Sequence, residues 1–291
     1  MDYGLCLPNF PAGASREGLE AAAALAARHG FSTVWTTDHV LVDHEGAEDY
    51  GRIYEAILAL AWVGALQPDL RLATSVIVVP QRNAILLAKE LATLDDLTGG
   101  RVTAGVGVGW SRGEFANLGV ADRFGVRGAY LDETIDLWRH LWSGSTEPFQ
   151  GRFHPLEDFA FEPLPAQGAA LPIVVGGRAT AALERAGRRG DGYHSSATGP
   201  ERYVERIPVI RAAAEAAGRP MPWLSARVRT RFGPPTDQFY AMQGDPGDIA
   251  AEVRSFAALG VIHLALSFET TDAAALERDV DRFVAEVIPL V

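Results

Sequence analysis

Short runs rich in β-branched residues alternate along the chain with longer segments in which alanine and leucine recur at helical spacing. That alternation is the pattern of βα units laid into a parallel sheet. It predicts strands over Asp2–Leu7, Thr33–Thr37, Arg71–Val79, Arg101–Val108, Pro172–Val175, Gly192–Ser195, Ser225–Phe232 and Val261–Phe268. Helices are predicted over Arg16–His29, Ile53–Leu66, Ala84–Leu97, Ala129–Trp142, Thr180–Arg189, Glu201–Ala217, Asp248–Leu259 and Ala273–Ile288. Joints such as Gly30-Phe31 and Gly260-Val261-Ile262 set a helix-ending glycine directly before the next strand. Eight strands each followed by a helix is the count of a (β/α)8 barrel. A doubly wound sheet shares the alternation, but its Gly-x-Gly-x-x-Gly turn is missing after the first strand, where Pro8-Asn9-Phe10-Pro11 stands.

Two stretches exceed minimal βα joints. Trp110–Val126, after the fourth strand, is glycine-rich with room for one short helix. Gly144–Ala170, before the fifth, follows an irregular path punctuated by prolines, with a small hairpin expected at Phe149-Gln150-Gly151-Arg152-Phe153. Both are barrel insertions. No linker, charge block or solenoid repeat divides the chain, so residues 1–291 are expected to form a single domain.

Composition narrows the function. Of 291 residues 48% are hydrophobic and 22% charged, which excludes intrinsic disorder. Twenty-six basic against 37 acidic side chains give a net charge of −11, so no broad attraction to nucleic acid or to an anionic membrane is expected. One cysteine, Cys6, excludes an internal disulfide framework and any multi-cysteine metal site. No leader-like or membrane-spanning stretch is apparent, and the cytoplasm is the expected compartment.

Barrels carry their chemistry at the carboxyl ends of strands. After the second strand stands Trp35-Thr36-Thr37-Asp38-His39, an acid beside a histidine that can move a proton near neutral pH. The third ends in Thr74-Ser75-Val76, whose small hydroxyls let a flat ring approach the backbone, or simply continue a core strand. The fourth ends in Gly105-Val106-Gly107-Val108-Gly109-Trp110, with glycines for close approach and an indole for a planar ligand or for core packing. The fifth ends in Val175-Gly176-Gly177-Arg178-Ala179, where a helix begins at once. Free N–H groups at its start and the Arg178 fork suit a phosphate. His194, in the sixth, is equally open to the mouth or to a structural role. The remaining histidines lack partners at metal-ligand spacing, so no metal is expected, and no Gly-x-Ser-x-Gly elbow occurs.

At these residues the chain resembles the luciferase-like flavin superfamily of TIM barrels, which includes bacterial luciferase, alkanesulfonate monooxygenases and coenzyme F420-dependent oxidoreductases. The resemblance rests on Gly30-Phe31-Ser32-Thr33-Val34-Trp35-Thr36-Thr37-Asp38-His39, on Arg71–Val76 with Pro80-Gln81-Arg82-Asn83, and on Leu87–Asp95 with Gly99-Gly100-Arg101. It continues through Gly105–Trp110, Val175-Gly176-Gly177 and Gly190-Asp191-Gly192-Tyr193. It covers nearly the whole chain, and its texture is most similar to the F420-dependent branch.

The resemblance implies coenzyme F420 lying beside Asp38 and His39, with His39 as proton donor or acceptor. It implies a non-prolyl cis peptide at Ser75–Val76 supporting the ring with Thr74, and Gly107, Gly109 and Trp110 bordering it. Gly176, Gly177, Arg178 and Ala179 would hold the phosphate. In the sugar-phosphate dehydrogenase branch a glutamate follows the glycine pair of the fourth strand; here Trp110 takes that position, which argues for a more apolar or aromatic small-molecule substrate. Glu114, four residues on, is a weak substitute. The implied reaction is hydride transfer between C5 of the deazaflavin and a C=C, C=N or carbonyl/alcohol substrate. Its rivals are an FMN-dependent monooxygenase of the same fold and a non-catalytic deazaflavin-binding protein. The substrate pocket is expected between Val40–Arg52 and the two insertions, with Tyr50, Trp62, Trp110, Phe115 and Phe159 as its aromatic candidates. A homodimer and an enzyme that reduces F420 or flavin are the expected partners.

Overall fold

In the computed structural model, which describes residues 1–10, 14–234, 240–268 and 272–291, eight parallel strands close into a barrel. Pro11, the end of the turn that argued against a doubly wound sheet, lies outside the described residues. The strands are β1 (Asp2–Cys6), β2 (Thr33–Thr36), β3 (Arg71–Thr74), β4 (Ile77–Val78), β5 (Val102–Gly107), β6 (Ile173–Gly176), β7 (Gly192–Ser196), β8 (Trp223–Phe232), β9 (Ala241–Gly244) and β10 (Val261–Phe268). Around the barrel they run β1-β2-β3-β5-β6-β7-β8-β10, and β10 pairs back onto β1, so no barrel edge is left open.

Two features depart from the sequence expectation. The third strand is not continuous over Arg71–Val79: the non-prolyl cis peptide that the resemblance implied at Ser75–Val76 is present and interrupts it, and β4 resumes the pairing with β5. A short strand, β9, also adds to β8 outside the ring of eight. The insertion Trp110–Val126 folds as the helix Arg112–Asn117 and a 3-10 turn at Ala121–Val126. In the proline-punctuated insertion only Phe149 and Leu156 pair, so the loop between them is wider than the small hairpin expected.

Outward-facing strand residues such as Leu5, Val34, Leu72, Val106 and Leu264 form one continuous core with the surrounding helices. The helices begin where polar caps satisfy free N–H groups: Ser15 before Arg16–Arg28, Asn83 before Ala84–Leu97, and a reciprocal Asp245–Asp248 pair before Pro246–Ala258. Trp138 and Trp142 donate to the carbonyls of Ala84 and Ala88, at 2.9 and 3.2 Å, and lock the helix Arg127–Trp142 onto Ala84–Leu97. The barrel lumen differs in kind: Trp35, His194, His263, Ser75 and Ser225 fill it with polar and aromatic groups. No helix among the described residues is long and apolar enough to cross a membrane.

Candidate active site

Past β2 the chain crosses the barrel mouth through Thr37, Asp38 and His39, all three buried. Asn9 fixes this turn by donating to the Thr37 carbonyl (2.7 Å) and accepting from its N–H (3.0 Å). Asp38 turns toward β4. Its Oδ2 accepts from the Val78 N–H at 2.8 Å, and its Oδ1 from Arg82 Nη2 at 2.6 Å. Arg82 also meets Glu55 at 2.8 Å. Burial opposes the Arg82 charge, yet the Asp38 and Glu55 carboxylates outweigh it and hold the guanidinium above its ordinary pKa.

His39 faces the other way. Its Nδ1 lies 2.9 Å from Oε2 of Glu114, which stands on the helix Arg112–Asn117. The Glu114 carboxylate also accepts from the N–H groups of Val40 (2.7 Å) and Leu41 (3.3 Å) and from Gln81 Nε2 (3.0 Å). Burial pushes the carboxyl pKa up, but the hydrogen bonds from His39, Val40 and Gln81 reverse this and bring it down to about 2. An ionised Glu114 can only accept, so Nδ1 of His39 carries a proton and Nε2 is the nitrogen left to exchange one. Nε2 has no partner among the described residues. Tyr50 (4.1 Å between ring centres) and the exposed Trp110 (5.8 Å, near-perpendicular) flank the imidazole.

Beside this pair, Val76 fills a space that two strand-end glycines leave open. A Cβ on Gly107 would lie 2.6 Å from one Val76 methyl, and a Cβ on Gly176 would lie 2.8 Å from the other. Beneath Val76, His194 is bonded at both nitrogens: Nε2 to Ser75 Oγ (2.9 Å) and Nδ1 to Ser225 Oγ (2.7 Å). Burial first, aided by the neighbouring His263 and Arg227, holds its pKa well below the ordinary value, so it stays neutral. Trp35 stacks on it at 4.3 Å and 5°. His194 is therefore a structural residue of the lumen, not a group at the mouth.

The last part lies after β6. Gly177 adopts φ +130°, and the helix Thr180–Arg189 starts behind Ala179 with no side chain capping it. Tyr193 holds the turn by donating to the Gly177 carbonyl at 2.8 Å, and Arg206 donates to the Tyr193 oxygen at 2.8 Å. Gly177, Arg178 and Ala179 are exposed. Uncapped helix N–H groups and an adjacent guanidinium make an anion cradle.

The sequence model of the luciferase-like monooxygenases matches residues 1–236. The chain belongs to this family. Its curated relatives include proteins named F420-dependent glucose-6-phosphate dehydrogenase. That of Mycolicibacterium fortuitum is 36% identical over 215 residues (71% of this chain, 61% of the relative), and that of Mycolicibacterium gilvum 33% over 239 residues (79% and 68%). The match to the first of them thus spans less than two thirds of that relative's length. Among solved structures, an F420-dependent secondary alcohol dehydrogenase in complex with an F420-acetone adduct superposes with a TM-score of 0.84 at 20% identity, covering 100% of this chain and 98% of that one. At that identity the likeness establishes the fold.

In this luciferase-like barrel the residues read from sequence fall into two groups. His39, Trp110, Val76, Gly107 and Gly176–Ala179 border the mouth. Asp38, Thr74 and Ser75 instead have their side chains engaged inside the protein, Thr74 Oγ1 donating to the Gly105 carbonyl at 2.7 Å and Ser75 Oγ bonded to His194. Gly109, at φ +74°, packs on Val78 and Phe115. Of the aromatic candidates, Tyr50 and Trp110 reach His39. Phe115 is fully buried against Phe124, and Trp62 lies on an outer helix bonded to Glu20. Sequence reasoning undervalued Glu114 and passed over Gln81 and Arg82 as individual site residues. A signal for Glu114 existed: Ser111-x-x-Glu114 opens a helix, which turns the acid back toward the mouth.

Proposed function

We propose that the protein is an oxidoreductase that binds coenzyme F420 and passes a hydride between it and a small organic substrate, with His39 moving the accompanying proton. The observation that carries this reading is the His39–Glu114 pair, with bare Nε2, standing at the mouth beside the Val76 bed and the cradle at Gly177–Ala179. These residues fit the cofactor. The bed is the apolar Val76, seated where Gly107 and Gly176 carry no Cβ to strike it, and the cradle offers unpaired backbone donors to a phosphate. The names of the curated relatives support the same cofactor.

When bound, the deazaflavin supplies the hydride chemistry at its C5. Nε2 of His39 takes the hydroxyl proton of an alcohol as the hydride leaves carbon, or returns it to a carbonyl oxygen in the opposite direction. Glu114 keeps Nδ1 protonated and steadies the imidazolium that forms. Asp38 serves as a positioning residue: bonded to Arg82 and to the Val78 N–H, it fixes the turn that presents His39. Tyr50 and Trp110 shield the imidazole, and their aromatic faces favour an apolar or flat substrate over a sugar phosphate.

Fluorescence titration with coenzyme F420 and separately with FMN tests the reading. Micromolar or tighter binding of F420 alone is expected. Preference for FMN would overturn it and point to an oxygen-dependent monooxygenase fed by a flavin reductase.

A further inference from the structure

Arg227 lies on the inward register of β8, two residues past Ser225, and its guanidinium crosses the floor of the barrel mouth. Nη1 donates to Thr37 Oγ1 at 2.7 Å and to the Ser75 carbonyl at 3.3 Å. The Cys6 thiol and, at 5.5 Å, the Phe10 ring complete its surroundings. Among the described residues it pairs with no carboxylate, since Asp38, the nearest acid along the chain to Thr37, is committed to Arg82. Only Nη1 has an oxygen acceptor among them. A half-buried cation in a protein of net charge −11 would ordinarily find a carboxylate. Apart from the Cys6 thiol, the rest of the fork has no hydrogen-bond partner among the described residues, and it lies at the edge of whatever rests on Val76, because Nη1 is pinned to the carbonyl directly before that residue.

We propose that Arg227 is an anion site in the barrel floor that receives the electron-rich edge of the cofactor ring, and receives it best in the reduced state. This rests on the F420 reading above. Adding a hydride to the oxidised ring brings two electrons and one proton, so the ring gains one unit of negative charge unless a further proton follows. A fixed guanidinium without a counterion favours that added charge and raises the reduction potential of the bound cofactor. Arg227 is thereby a residue that sets the balance between the two directions of the reaction, separate from the proton transfer at His39.

The test needs no substrate. The purified protein is titrated anaerobically with oxidised and with reduced coenzyme F420, and the potential of the bound cofactor is measured in parallel. The wild-type protein should bind the reduced form roughly tenfold or more tightly than the oxidised one. R227Q should lose most of that preference and lower the potential, while R227K, which keeps the charge, retains the greater part of both. Equal affinity of the wild-type protein for the two forms, or an unaltered preference in R227Q, overturns the proposal. If R227Q does not fold, the wild-type comparison and R227K still decide it. Binding of neither form is a different result and overturns the F420 reading itself.

Discussion

Glu114 and His39 are 75 residues apart in sequence and joined by a 2.9 Å hydrogen bond, with three further donors converging on the same carboxylate. The acid is thereby held ionised and fixes which imidazole nitrogen faces the mouth. Glu114→Gln removes the charge and lets the amide present either atom to Nδ1, so the bare Nε2 is no longer enforced. Turnover should fall by about 10²-fold, the lower end of the range for general acid–base catalysis. Cofactor affinity should change little. A variant with wild-type turnover would dismiss Glu114 as the group that orients His39.

In the proposed reaction His39 carries the proton, so His39→Ala should lower turnover by about 10²–10⁴-fold, with a modest loss of cofactor affinity. Steady-state rates together with a fluorescence titration separate the two effects. Should turnover persist unchanged, the proton must travel by another route.

The barrel was legible in the sequence because its strands are β-branched runs buried on both faces and its helices end in glycine. The site was legible in part. Asp38-His39 stand together at a strand end, but nothing local reveals that they point apart, Asp38 to Arg82 and His39 to Glu114. That division is a tertiary fact. Arg227 was hidden for a similar reason: alternating arginines on a strand read as a solvated face unless closure of the barrel is known to turn that face inward. The strand β9 escaped notice because Ala241-Met242-Gln243-Gly244 carries no β-branched residue.

Asp38→Asn tests the positioning role. The Asp38 side chain is almost fully buried and Arg82 nearly so, and breaking such a pair leaves an uncompensated charge. Arg82 retains Glu55, so a loss of stability of about 3 kcal/mol is expected, at the low end for a buried pair. Denaturant unfolding measures it. A near-neutral effect on stability with abolished turnover would instead assign Asp38 a direct part in the chemistry.

At the cradle, Gly177 holds φ +130°, and an added Cβ would lie 2.7 Å from the Ala182 methyl. Gly177→Asp introduces that strain together with a carboxylate where a phosphate is expected, whereas Gly177→Ala introduces the strain alone. Both should weaken F420 binding, Asp the more, since only it adds like-charge repulsion. Equal effects of the two would show that geometry, and not charge, governs the cradle; unaltered affinity in both would remove it from the cofactor site.

Glu114 also ties the site to stability in acid. Its carboxyl ionises near 4.5 in an unfolded chain and at about 2 in the folded one. A depressed folded pKa means that the unfolded state binds the proton more readily between these values. The contribution is therefore complete above about pH 4.5 and is lost as pH falls toward 2. Denaturant unfolding followed from pH 6 downward should show the wild-type protein losing stability through this window more steeply than Glu114→Gln, which has no proton to take up there. The variant should start lower at pH 6 and the two curves should converge in acid. Parallel curves would mean that the carboxylate is not held in its ionised state by His39, Val40 and Gln81, and the basis for a fixed His39 tautomer would go with it.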